Sequence, residues 1–176
     1  MKKLLKLLFM GTIVLSLSAT ALAKEKIYVG TNAEFPPFEY LEDGKITGFD
    51  MDLVQEIGKL VDADIKIVDM AFDGLLPALQ MKKVDLVIAG MTANEERMKT
   101  VSFTQPYYTA SQVIIVKEGN TSIKSFDDLK GRRVGVMLGF TGDMVVSEID
   151  GVKIERFNAA YAGIMALKAD KIEAVV

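Results

Sequence analysis

The 176-residue sequence contains no histidine and no cysteine. These absences exclude Ser-His and Cys-His nucleophiles, the usual zinc sites, disulfide bonds and covalently attached haem. Basic residues are not in excess either, since 21 Lys and Arg stand against 24 Asp and Glu, for a net charge of −3. An acidic chain of this kind lacks the positive surface of a nucleic-acid-binding protein. We therefore expect no bound metal and no nucleic-acid partner.

The first 23 residues have the pattern of a secretory signal peptide. A start rich in lysine precedes an apolar run from Leu7 to Leu17, and Ala21-Leu22-Ala23 is a small-x-small cleavage site. The alternative, a membrane anchor, is disfavoured because a spanning helix needs roughly 18 apolar residues. No cysteine follows the run, so lipid attachment is not expected. We predict a signal peptide over residues 1–23 and a periplasmic mature protein that is not a lipoprotein.

Short apolar runs alternate with amphipathic stretches along the rest of the chain. The predicted strands cover residues 27–31, 65–68, 85–89, 112–116, 133–137, 152–156 and 172–176. Helices are predicted over residues 49–61 and 141–148, and after caps at Asp73, Asn94, Ser125 and Asn158, with Pro77 near a first turn. This alternation predicts an α/β protein whose mainly parallel sheets carry helices on both faces.

The alternating pattern breaks once, at residues 103–108, and then resumes. We predict two α/β lobes, residues 24–108 and 109–176, joined near residues 105–112. The segment 172–176 has the composition of a buried strand, and the chain stops there on two apolar residues. Because chain termini usually lie at the surface, we expect a protein that is incomplete at its C-terminus and lacks the return of its first lobe. The alternative is a short edge strand that ends there.

Four motifs occur in order along the chain. They are residues 30–40, the run Gly48-Phe49-Asp50-Met51-Asp52-Leu53-Val54, residues 89–92 with Arg97, and residues 103–108. Together they resemble family 3 of the solute-binding proteins, the periplasmic amino-acid receptors of ABC importers. The resemblance implies the two-lobed type II periplasmic-binding-protein (Venus-flytrap) fold. It also implies a monomeric, non-enzymatic receptor without a cofactor, which captures a free amino acid between its lobes and delivers it to an ABC permease.

Arg97 is the candidate ligand for the amino acid's carboxylate. A guanidinium grips a carboxylate with two parallel hydrogen bonds, which a lysine cannot do. Its helix opens at Asn94, so the positive end of the helix dipole adds to the site, and the Thr92 hydroxyl lies just before it. The alternative is a solvated charge that pairs with Glu95 or Glu96. The resemblance favours the carboxylate role.

The other candidates come from the resemblance. Thr141, in the turn Gly139-Phe140-Thr141-Gly142, is expected on the carboxylate from the opposite lobe, although a plain strand-helix turn is the alternative. Phe35 and Phe72 match the family's aromatic pair around the ligand side chain, although each could instead fill the core edge. The full candidate set is Asn32, Phe35, Phe72, Ala89, Gly90, Thr92, Arg97, Met137 and Thr141.

Four of these candidates bear on the ligand's charge and shape. Asn32 stands where relatives that select cationic ligands often have an acid, which weakens the case for strict specificity for arginine or lysine. Met137 adds an adaptable apolar wall. We expect the carbonyl of Gly90 and the Thr92 hydroxyl to accept from the ligand's ammonium, and the resemblance implies a further acid just beyond Val176. We expect a polar ligand or broad specificity.

Two other functions fit the same scaffold. One is an enzyme that resembles periplasmic cyclohexadienyl dehydratases, which would need Glu34, Asp73 or Asp143 as a general acid in the cleft. The other is the sensing module of a membrane receptor, with a transmembrane helix outside this sequence.

Overall fold

The computed structural model describes residues 24–176, so the predicted signal peptide lies outside the described residues. The strands are β1 (Lys26–Thr31), β2 (Glu34–Phe35), β3 (Glu39–Glu42), β4 (Lys45–Thr47), β5 (Asp64–Asp69), β6 (Leu86–Val87), β7 (Arg133–Met137), β8 (Lys153–Phe157) and β9 (Ala174–Val175). The α-helices are α1 (Phe49–Leu60), α2 (Phe72–Gln80), α3 (Glu95–Met98), α4 (Thr141–Ser147) and α5 (Ala160–Lys168), and a 3₁₀ turn covers Phe126–Leu129.

The first sheet has the order β5-β1-β6, and all of its strands are parallel. Val29 of β1 packs with Met51 and Val54 of α1 in one buried cluster. The next residue, Gly30, faces Leu75 of α2. Since successive strand residues point to opposite faces, α1 and α2 cover the two faces of this sheet. The prediction of a parallel sheet between helices is confirmed here.

The second sheet repeats the arrangement with the order β8-β7-β9, again parallel. Val134 and Val136 of β7 pack with Val146 of α4 in one cluster. Gly135 lies between them and faces the other side, where Ile172 belongs to a second cluster with α5 residues. Both sheets therefore place the first strand of the unit in the centre, between two later strands.

A third, antiparallel sheet of β2, β3 and β4 was not predicted. Its tight turn joins β3 to β4 at Asp43 and Gly44, both of which have positive φ (49° and 74°). Asp-Gly is a favoured pair for a two-residue hairpin turn because both central residues must adopt such angles. The hairpin leads directly into α1 and brings Glu39 of β3 beneath that helix.

Two predictions about α2 are wrong. The helix begins after Ala71 rather than at a cap by Asp73, which lies in the first turn instead. Pro77 stands inside the helix, not near its first turn. The early start lets Phe72 bury its ring against Leu75, so packing rather than a polar cap determines where this helix begins.

Two predictions in the second half are also wrong. The last helix is capped at Ala159 without a side-chain bond, one residue after the expected cap Asn158. The β-branched run 112–116 forms no strand but a single antiparallel bridge between Ile115 and Val175. Among residues 24–176, the structure contains no helix both long and apolar enough to cross a membrane.

Candidate functional site

Most of the predicted site residues lie at the carboxyl ends of the parallel strands, in the loops or the first helical turns that follow them. Asn32 follows β1, residues 89–92 follow β6, Met137 ends β7, and Thr141 begins α4. In α/β sheets this edge is where ligands bind. The loops of both sheets meet there, so one cleft is bounded by the two halves of the molecule.

Arg97 links the two halves. Its backbone N–H donates to the side-chain oxygen of Asn94 at 2.9 Å, which confirms the predicted cap. Its guanidinium donates to the carbonyl of Thr92 and to the carbonyl of Gly139, each at 2.8 Å. Gly139 belongs to the β7–α4 loop of the second sheet, so this side chain bridges the cleft.

Arg97 carries a charge without an acidic partner. The residue is only 6% exposed, and none of the salt bridges among residues 24–176 includes it, so the alternative of a solvated charge paired with Glu95 or Glu96 is not observed. Burial lowers the pKa of the guanidinium, and Glu96 opposes that shift. A buried cation bonded to neutral carbonyls is costly unless an anion joins it. The guanidinium has more N–H donors than these two bonds use, which leaves some for such an anion.

Aromatic rings form one wall of the cleft. The rings of Phe72 and Phe140 are stacked with centroids 3.9 Å apart, and Phe35 meets Phe140 edge-on at 6.0 Å. The guanidinium carbon of Arg97 lies 5.4 Å from the Phe72 ring centre. Phe35 and Phe72, predicted from the resemblance, thus share a wall with Phe140, whose ring reaches across from the second half. Sequence reasoning named Phe140 only as part of a turn.

Gly90 lies against a group of residues that the sequence did not reveal as part of the site. Its N–H donates to the Asp50 carboxylate at 3.1 Å, and the Tyr107 hydroxyl donates to the same oxygen at 2.8 Å. Asp50 and its neighbour Glu39 are both 0% exposed. Burial, together with Asp50, raises the pKa of Glu39 to about 10. The signal available in the sequence was only an acid in the first turn of a helix, which a dipole contact would explain.

The remaining candidates lie around this centre. Asn32 is buried, and its amide donates to the carbonyl of Met70 at 3.1 Å, which fixes the side chain against the end of β5. Ala89 is 1% exposed and packs with Phe72. Met137 and Thr141 flank the Gly139 loop and are half-buried, but the second-half group that reaches Arg97 is the Gly139 carbonyl.

A depression of about 120 Å³ lies away from these residues, near Arg133 at the other end of β7. Its charged side chains are already paired, Lys117 with Asp170 at 2.6 Å and Arg133 with Glu173 at 3.7 Å. The charged side chains named here therefore compensate one another, whereas the Arg97 guanidinium has no acidic partner among residues 24–176.

Comparison with known proteins places this arrangement in a family. Residues 27–174 match the bacterial extracellular solute-binding proteins, family 3. The chain belongs to this family. The predicted family and its type II periplasmic-binding fold are thereby confirmed.

Two curated relatives resemble the chain closely. A probable histidine-binding protein of Campylobacter jejuni is 36% identical over 84% of this chain and 58% of its own length. The arginine-binding extracellular protein ArtP of Bacillus subtilis is 38% identical over 100% of this chain and 72% of its own length. The chain thus spans between 58% and 72% of these two proteins.

Solved structures agree on the fold. An ancestral arginine-binding protein bound to arginine superposes with a TM-score of 0.83 at 46% identity, covering 86% of this chain and 69% of that one. An ancestral arginine-binding protein bound to glutamine superposes with a TM-score of 0.82 at 46% identity, covering 87% of this chain and 69% of that one. An ancestral amino-acid-binding protein described as a precursor of cyclohexadienyl dehydratase matches with a TM-score of 0.81 at 37% identity over 85% and 68%.

Proposed function

We propose that this chain is an amino-acid receptor that holds a free amino acid between residues 24–108 and 109–176 and delivers it to an ABC permease. The observation that carries the proposal is the buried guanidinium of Arg97, which has carbonyl partners from both halves but no salt bridge within residues 24–176. A ligand carboxylate supplies the missing negative charge. Because both halves of the protein would contact the bound ligand, the ligand has a higher affinity for the closed form and stabilises it.

The rest of the ligand is assigned from the same cleft. The carbonyl of Gly90 and the Thr92 hydroxyl accept from the ammonium, and Thr141 adds a donor to the carboxylate from the second half. The ligand's side chain lies along Phe35 and Phe72, beside Asn32, Ala89 and Met137. Flat aromatic walls favour a planar or cationic side chain. Relatives named for arginine and histidine, and a related ancestor bound to glutamine, support testing those three amino acids first.

Replacing Arg97 tests the proposal. We expect Arg97→Ala to bind its amino acid about 100-fold more weakly, because a desolvated, charge-assisted pair of hydrogen bonds is lost. Arg97→Lys keeps the positive charge but cannot form two parallel hydrogen bonds to a carboxylate. Its affinity should fall between those of the unchanged protein and Arg97→Ala. The measurement is isothermal titration of the purified protein with the twenty amino acids, with circular dichroism to check folding.

Lys99→Ala is the matched control, since Lys99 is an exposed cation at the end of the same helix. Its affinity should equal that of the unchanged protein. Equal affinity in folded Arg97→Ala and in Lys99→Ala would overturn the proposed carboxylate site.

We also propose that the chain is not an enzyme. Glu34 and Asp73 are exposed, and Asp143 is held by Arg156 with a lowered pKa, which is the wrong direction for a general acid. The resemblance to a dehydratase precursor makes the test specific. Incubation with prephenate or arogenate should yield no product, and turnover would overturn this part of the proposal.

Membership of this family also supports a cellular location and an oligomeric state for the protein. We propose a periplasmic monomer, exported by a cleaved signal peptide over residues 1–23 and not lipidated. Mass spectrometry of the exported protein should find a mature N-terminus at residue 24, and size-exclusion chromatography with light scattering should give a monomer mass. A retained leader or a stable dimer would overturn these assignments.

A further inference from the structure

Two buried carboxyl groups, those of Glu39 in β3 and Asp50 in α1, lie against each other behind Gly90. Both residues are 0% exposed, and neither takes part in a salt bridge of the described residues. If both groups are ionised, neither can donate a hydrogen bond to the other. Both oxygens of Glu39 and Oδ1 of Asp50 then have no hydrogen-bond partner among the described residues. Two adjacent anions in this position would be strongly destabilising.

A single proton removes the conflict. A protonated Glu39 donates to Asp50, which gives one Glu39 oxygen and Asp50 Oδ1 a bond and leaves one negative charge for the pair. That charge is used at Asp50 Oδ2, which accepts from the Gly90 N–H at 3.1 Å and from the Tyr107 hydroxyl at 2.8 Å. A pair with one proton can form a hydrogen bond between the two carboxyl groups, whereas two ionised carboxylates have no proton to donate.

The other groups around the pair favour the same state. Tyr107 faces the pair from residues 105–112, the crossover segment that joins the two halves. Burial, followed by the contact with Asp50, raises the pKa of its hydroxyl, so it remains a donor. Burial and Asp50 raise the pKa of Glu39 to about 10. Both causes favour a neutral Glu39 at neutral pH, in agreement with its burial.

We propose that Glu39 and Asp50 share one proton and act together as a positioning device for the ligand site. The Asp50 carboxylate holds the Gly90 N–H and ties Gly90 to Tyr107, in the crossover segment between the two halves. The part that concerns ligand rests on the amino-acid receptor proposed above, whereas the shared proton does not.

The geometry around Gly90 shows why its orientation matters. Gly90 has φ of 53°, and a Cβ placed there would lie 3.1 Å from the Phe35 ring and 4.0 Å from Glu39 Oε1. Its peptide is thus packed between a ring of the aromatic wall and the carboxyl pair. The bond from the Gly90 N–H to Asp50 fixes the peptide unit before the Gly90 Cα. The Gly90 carbonyl, which is assigned to the ligand's ammonium, lies in the next peptide unit, so Asp50 acts on it through the backbone of Gly90.

A pH series with Glu39→Gln tests the shared proton without any ligand. In the unchanged protein, the unfolded chain releases the Glu39 proton above its ordinary pKa while the folded chain keeps it, so stability falls as pH rises from about 5 to about 9. Glutamine mimics the neutral acid and does not titrate. We expect the melting temperature of Glu39→Gln, relative to the unchanged protein, to increase steadily over that range.

The control for this series is Glu42→Gln, in which an exposed carboxylate of the same strand is replaced. Its melting temperature should keep a constant offset from that of the unchanged protein. A constant offset for Glu39→Gln as well would overturn the shared proton. Infrared difference spectra at neutral pH give a second readout, because a protonated carboxyl band should be present in the unchanged protein and absent in Glu39→Gln.

Tyr107→Phe tests the positioning role. It removes the hydroxyl donor to Asp50 without touching the ligand, and we expect roughly 5-fold weaker amino-acid binding with the shared-proton band retained. Tyr108→Phe, which alters the neighbouring ring in the crossover, is the control and should bind as the unchanged protein does. Equal affinities for the two variants would overturn the positioning role.

The two proposals fail in different ways. Absence of amino-acid binding in the unchanged protein would remove the receptor and with it the positioning role. The infrared band and the pH series would still decide whether Glu39 and Asp50 share a proton.

Discussion

Asp50 in α1 and Asp143 in α4 have corresponding tasks in the two halves of the molecule. Each stands in the first turn of its helix, and each accepts from the backbone N–H of a glycine with positive φ at the cleft. Asp50 receives the N–H of Gly90 and Asp143 that of Gly139, both at 3.1 Å. The two sheets thus use the same device to hold a cleft loop.

The halves differ in how they compensate the charge of these carboxylates. Asp143 is bonded by the Arg156 Nε at 3.0 Å to each carboxylate oxygen and by Ser147 at 3.1 Å. Burial alone would raise the pKa of Asp143, but Arg156 and the Gly139 N–H lower it. Among residues 24–176 no cation is paired with Asp50, and a proton on Glu39 is proposed instead. A cation and a proton give opposite responses to pH.

The largest loss in the free energy of unfolding is expected from Gly48→Ala, which disturbs the backbone just before α1, the helix that carries Asp50. Gly48 has φ of 122°, and a Cβ would lie 2.3 Å from the backbone oxygen of Phe38. Backbone atoms cannot move aside as a side-chain end does, so we expect a loss of about 3 kcal/mol or more in the free energy of unfolding. Urea denaturation measures this loss.

Gly74→Ala is the matched control for Gly48→Ala. Gly74 lies inside α2, has no left-handed backbone angle, and has open space where the Cβ would go. Alanine should stabilise this helix by up to about 1 kcal/mol. Similar losses of unfolding free energy in both variants would show that the backbone conformation of Gly48 is not what makes alanine unfavourable at the start of α1.

The next effect is expected from Asp50→Ala, which removes the acceptor of the first half. The Gly90 N–H and the Tyr107 hydroxyl would lose their partner, at a cost of about 2 kcal/mol in the free energy of unfolding. Asp52→Ala, one exposed acid further along the same helix, should change stability by no more than about 0.5 kcal/mol. Equal losses would show that the helix dipole, and not the buried contacts, accounts for both acids.

The parallel sheets could be predicted from the sequence because their strands and helices are long enough to show a period. The strand β7, residues Arg133–Met137, was predicted with its observed bounds. The hairpin of β2, β3 and β4 was missed because its strands have only two to four residues. Asp43-Gly44 was the one local signal, and it lacked long alternating flanks that would have marked it as a hairpin turn.

The site could be predicted only where chemistry is local in the chain. Asn94 and Arg97 are three residues apart, so their capping bond follows from the sequence pattern. The bond from Tyr107 to Asp50 joins residues 57 positions apart, and that from Gly90 spans 40. Neither separation has a period that sequence patterns could show. The burial of Glu39 likewise arises from the unpredicted hairpin.

The smallest loss of stability is expected from Asp143→Asn, which removes the carboxylate of the second half. Because the folded-state pKa of Asp143 is lowered, its stabilising contribution is fully present above the ordinary pKa and is lost as pH falls below about 4. Arg156 is 43% exposed, so solvent screening limits the loss at pH 7 to about 1 kcal/mol. The difference from the unchanged protein should shrink in acid, whereas the Glu39→Gln difference grows in alkali. Urea titrations at both ends of the pH range measure it, and a difference independent of pH would show that Arg156 does not hold Asp143 ionised.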